Sequence, residues 1–90
     1  MFPSAIEKKR EYVEKRYPKF LGKIREAIEK CSEEQVSVDF DENEWSACNY
    51  SDIEWFLESY NYSCSYESGY INVSGSYDKE YTVCVSWRFT

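Results

Sequence analysis

Between Glu33 and Glu58 the chain carries nine carboxylates, Glu33, Glu34, Asp39, Asp41, Glu42, Glu44, Asp52, Glu54 and Glu58, and no lysine or arginine. Carboxylates at this density can hold a divalent cation, serve as acid and base in catalysis, or face a basic surface. Asp39, Asp41 and Asn43 alternate like the first ligands of an EF-hand loop. The glycine that such a loop needs for its sharp turn is Glu44 here, however, and the closing glutamate is Tyr50. Acid–base work needs a cleft that raises the pKa of one carboxyl, which a small two-layer domain seldom builds. The chain has no histidine, so the commonest general base is missing. No Ser or Cys sits in a nucleophile motif, and the glycines at 22, 69 and 75 stand singly, too far apart to cradle a phosphate. No catalytic residue, no metal and no cofactor is expected.

A basic protein partner is the remaining reading. Asp39, Asp41, Glu42, Glu44, Asp52, Glu54 and Glu58 are its candidate steering charges, and Trp45 and Trp55 its candidate anchors. Trp45 reads equally as an anchor or as a ring folded back over the core edge. Trp55 lies about a quarter turn from the Ile53, Phe56, Leu57 and Tyr60 stripe and reads more readily as packing.

The charge is unevenly placed. Residues 1–30 hold 9 basic and 5 acidic groups, a net charge of +4, and residues 31–90 hold 2 basic and 12 acidic groups, a net charge of −10. The total of −6 argues against direct nucleic-acid binding, whose affinity comes mainly from Lys and Arg on phosphates. No apolar run approaches a membrane span, and the N-terminus leads into Glu7, Lys8, Lys9 and Arg10 without a signal core, so a cytoplasmic protein is expected. Cys31, Cys48, Cys64 and Cys84 form no C-x-x-C pair, and free thiols are favoured over two disulfides.

These 90 residues fit one domain, 1–90, with 17 aromatic side chains to fill its core. Apolar positions from Ile6 through Val13, Phe20, Leu21, Ile24 and Ile28 to Cys31 follow helical spacing. Pro18 interrupts them, either kinking one long helix or dividing it into 4–16 and a second helix from about 18. Because the stripe keeps its phase, the kink is preferred. Val36, Val38 and Phe40 alternate with Ser37 and Asp39 as a strand over 35–41, followed by a connection over 45–49. Ser51 and Glu54 form a capping-box pattern for a helix over 52–60, and Asn61 suits a left-handed stop. Three further strands are expected over 62–66, 71–77 and 81–89, with turns at Glu67-Ser68-Gly69 and Asp78-Lys79. The expected architecture is therefore two-layer α+β. A four-stranded, mainly antiparallel sheet carries a long kinked N-terminal helix and a short second helix on one face. Its other face would present Ser37, Asp39, Ser63, Ser65, Tyr70, Asn72, Ser74, Ser76, Thr82, Ser86 and Arg88.

This layout of a long charged helix, Val36-Ser37-Val38, a capped helix ending at Tyr60-Asn61-Tyr62 and a hairpin closing on Val85-Ser86-Trp87 resembles small phage proteins. The resemblance implies a host-takeover or counter-defence factor that acts by binding in the host cytoplasm. The leading expectation is a non-enzymatic acidic interaction module that occupies a basic, nucleic-acid-binding surface of another protein. Two alternatives stay open. One is a nucleotide or sugar binder that stacks its ligand on Tyr62, Tyr66 or Tyr70. The other is a homo-oligomer joined by its oppositely charged segments, with Phe2, Phe20 or the C-terminal edge strand in the contact.

Overall fold

The computed structural model describes residues 2–73 and 75–87. Ser74, Arg88 and Phe89, assigned above to strands, lie outside the described residues. The order is α1 (Ala5–Arg16), α2 (Pro18–Lys30), β1 (Gln35–Asp41), α3 (Glu42–Ser46), α4 (Tyr50–Glu58), β2 (Ser63–Val73) and β3 (Ser76–Ser86). The class is α+β.

Ser4 caps α1 by accepting a hydrogen bond from the Glu7 amide, 3.1 Å away. Pro18 divides the N-terminal segment instead of kinking it: Tyr17 leaves the helical region at φ −127°, ψ 53°, and Pro18 opens α2, where its missing N–H costs nothing. The apolar stripe nonetheless carries across the break, because Tyr17 itself is buried with Val13, Phe20, Leu21 and Ile24. Ile6, at the start of the expected stripe, is exposed.

The described sheet has three strands, not four, in the order β1-β3-β2 with both pairings antiparallel. The turns expected at 67–69 and 78–79 are absent. Gly69 is paired with Glu80 and Tyr70 with Lys79, so β2 and β3 run on as one long hairpin. Reversal falls between Val73 and Ser76, where Gly75 has φ 83°. A two-residue hairpin turn demands positive φ, which glycine supplies without steric cost. One consequence is that Tyr70 belongs to the face of Cys64 and Tyr66, not to the opposite face as expected. Another is that the C-terminal strand is central, while β1 and β2 are the edges.

Val36, Val38 and Phe40 stand opposite Val85, Val83 and Tyr81 in register, facing the helices. Phe40, Val83 and Val85 are almost wholly buried with Ile24 and Ile53 in one core. The other sheet face presents Ser37, Ser63 and Ser65 to solvent, with Asp39 accepting a 2.8 Å hydrogen bond from Thr82 Oγ1. The second helix starts earlier than the capping-box pattern implied. Asn49 caps it by accepting from the Ser51 amide at 3.1 Å, which places Ser51 inside α4. Asn61 ends this region at φ 68°, the left-handed stop expected there.

Candidate functional site: an acidic groove at the end of β1

The site begins at the end of β1. Asp41 caps the five-residue α3: its Oδ1 accepts from the Glu44 amide at 2.7 Å, and Glu44 Oε1 accepts from the Asp41 amide at 3.2 Å. This reciprocal capping box folds residues 42–46 into a helical turn in what the sequence suggested was a plain connection. It turns the backbone so that Trp45 falls inward and the carboxylates stay outside.

Trp45 lies against the core edge in an aromatic stack. Its ring is parallel to Tyr81 (4.5 Å between centroids, 3° between planes) and contacts Tyr66 at 4.8 Å and Tyr50 at 5.3 Å. Phe20 stacks on Phe40 at 3.9 Å immediately behind it. Of the two readings open for Trp45, the fold-back geometry is the one found. Phe20 is buried and cannot serve an intermolecular contact. Trp55 is also partly buried against the core, with the Lys9 ammonium 4.3 Å above its ring.

At the end of β1 an open groove of about 520 Å³ is lined by Asp39, Asp41, Glu42, Glu44, Asp78 and Glu80, with Lys23 and Lys79 as the cations beside them. Its six carboxylates and two ammonium groups leave a net charge of −4. Three elements converge here, because antiparallel register sets Asp41 opposite Glu80. Lys23 is engaged: its ammonium lies 3.6 Å from Glu44 Oε1 and donates to the Asp39 carbonyl. Among the described residues, Glu42, Asp78 and Glu80 make no ion pair. No group of His, Cys, Asp and Glu suited to a metal ion occurs among the described residues.

The structure brings Asp39, Asp41, Glu42 and Glu44 together and leaves Asp52, Glu54, Trp55 and Glu58 outside the groove, on α4. Asp52 accepts from the Tyr17 hydroxyl at 3.3 Å, a tie between α4 and the α1–α2 junction. Asp78, Lys79 and Glu80 are hidden from a sequence reading because Asp78-Lys79 has the composition of a turn. With the turn at Gly75 all three lie in β3, Glu80 opposite Asp41 and Lys79 and Asp78 beyond the end of β1.

The three tyrosines considered for ligand stacking do not converge. Tyr62 meets Trp87 edge-on, Tyr66 belongs to the Trp45 stack, and Tyr70 stands 70% exposed on the hairpin. All four cysteines are free. Burial, helped by the nearby Asp52 charge, pushes the Cys48 thiol up to about 12. Cys64 is raised by burial, although the hydrogen bond from the Tyr50 hydroxyl opposes this, and Tyr50 is itself raised, chiefly by burial. Such thiols are poor nucleophiles.

No described helix is long and apolar enough to cross a membrane. Comparison with known proteins finds no match to this chain among family models, curated proteins or solved structures.

Proposed function

We propose that this protein is a non-enzymatic binding module whose acidic groove receives a basic segment of another protein. The observation that carries this reading is the convergence of carboxylates from β1, α3 and β3 on one open groove, with Glu42, Asp78 and Glu80 unpaired among the described residues. Carboxylates cost little to hold at an open surface and steer a cationic partner at long range, giving fast, salt-sensitive association. The stacking of Trp45 on Tyr81 and the reciprocal Asp41–Glu44 cap hold α3 in place, so little ordering entropy is lost on binding. A partner surface that ordinarily meets phosphates is the natural complement, and occupying it would make the protein an inhibitor of nucleic-acid binding, the role implied by the phage-type resemblance.

An arginine-rich peptide, followed by fluorescence anisotropy at low and moderate salt, provides the test. Glu42→Gln with Asp78→Asn and Glu80→Gln should weaken binding about tenfold or more. Removing the same charge elsewhere, with Glu33→Gln, Glu54→Gln and Glu58→Gln, should change it much less. Equal losses in both triple variants would reduce the effect to net charge and overturn the assignment of the groove.

A further inference from the structure

The two edges of the sheet are treated differently. β1 is seven residues long, carries Asp39 and Asp41, and has the Lys23 ammonium bound to the Asp39 carbonyl, all of which discourage a further strand. β2 is eleven residues long, Ser-Cys-Ser-Tyr-Glu-Ser-Gly-Tyr-Ile-Asn-Val, with no proline, lysine or arginine and one carboxylate, Glu67. Among the described residues, no backbone hydrogen bond joins β2 to any segment except β3. From Glu67 to Tyr70 its residues are all exposed. An edge this long and this lightly charged is a template for another strand.

We infer that a second copy of this chain is that strand, β2 pairing antiparallel with β2 of its twin about a two-fold axis at Ser68 to make one six-stranded sheet. The sequence of the edge is complementary to itself in this register. Centring on Ser68 is the one choice that overlaps all eleven residues. It sets Tyr66 opposite Tyr70 of the other copy, twice, on one face, and these are two of the exposed large side chains of the molecule, at 49% and 70%. Facing aromatic residues are favourable cross-strand pairs. It also sets each Glu67 opposite Gly69 of the other copy, so neither carboxylate faces a like charge directly. Full overlap would add about ten backbone hydrogen bonds. The helices leave room for it. α4 packs near Cys64 and Tyr66, and in this register these lie opposite Asn72 and Tyr70 of the twin, so the two α4 helices sit roughly 14 to 27 Å apart along the strands, more than a helix diameter. The contact is isologous and closes at two copies.

Gly69 has room for a side chain, and because it pairs with Glu80 within the chain, the fold is monitored alongside the dimer. A Cβ there meets nothing within 4 Å, and its φ lies outside the left-handed region. Sedimentation equilibrium across a wide concentration range should show wild-type dimers. Gly69→Glu, which sets like charges opposite each other at two symmetric positions, should weaken the dimer about tenfold while circular dichroism stays native. Adding Glu67→Lys to Gly69→Glu should restore the dimer by making both contacts attractive, although it leaves the intrachain neighbour Glu80 unchanged. A wild-type monomer at all concentrations, a larger assembly, a dimer indifferent to Gly69→Glu, or a failure of Glu67→Lys to restore it would overturn the inference.

Discussion

Trp45 lies flat on Tyr81, the two rings 4.5 Å apart and within 3° of parallel, so a residue of the five-residue α3 is stacked on a residue of the central strand. This contact pins the acidic turn to the sheet. Replacing Trp45 with Ala removes the ring and opens a void among Tyr50, Tyr66 and Tyr81. It should cost about 3 kcal/mol in urea unfolding, with Trp45→Phe costing clearly less. A loss within experimental error would mean that the stack does not hold α3 in place.

Backbone handedness makes a second, sharper prediction. Asn61 at φ 68° and Gly75 at φ 83° are the described residues with positive φ. Gly75→Ala should destabilise by about 1 kcal/mol or more, and Asn61→Gly should be neutral or stabilising. Thermal denaturation of the two variants reads both signs.

These two residues also mark what could be read from the sequence. Asn61 announced itself because a helical pattern ended on it, and a helix stop needs only local information. The hairpin turn did not, since Glu67-Ser68-Gly69 and Asp78-Lys79 have turn-forming composition, and only the continuous pairing of 63–73 with 76–86 excludes them. That register error hid Asp78 and Glu80 from the site and set Tyr70 on the wrong face. Pro18 was visible, but a phase-preserving stripe cannot tell a kink from a break, because Tyr17 is buried in either case. Asp39, Asp41, Glu42 and Glu44 are legible as a group because they fall close together in one short stretch of chain. Their separation from Asp52, Glu54 and Glu58 is not, because it depends on the α3 turn that Asp41 and Glu44 build by capping each other.

Thiol chemistry gives a third prediction. Cys48, pushed up to about 12 by burial and then by Asp52, stays protonated at pH 8 and should react with iodoacetamide far more slowly than in the unfolded chain. Its linkage to stability has a definite sign. Above about pH 9 the unfolded thiol has lost its proton while the folded one keeps it, so the unfolded state binds fewer protons and stability falls as pH rises toward 12. The raised Tyr50 acts in the same direction. Cys48→Ser should flatten the alkaline loss, as measured by urea midpoints across this range.

A fourth prediction concerns the attachment of α1. Arg10 Nε donates to Ser59 Oγ at 3.0 Å, its guanidinium also donates to the Ser59 carbonyl, and it lies 4.0 Å over the Tyr60 ring. Arg10→Ala should therefore speed hydrogen exchange in α1 more than in β3, with Arg10→Lys intermediate because an ammonium cannot reproduce the planar fork.

The acidic groove is the centre of the functional account, and amide chemical-shift mapping tests it residue by residue. On titration of the isotope-labelled protein with an arginine-rich peptide, saturable shifts should concentrate at Asp39 to Glu44 and Asp78 to Glu80, and fade as salt is raised. Shifts centred on Glu54 and Glu58, or spread without saturation over all acidic residues, would contradict it.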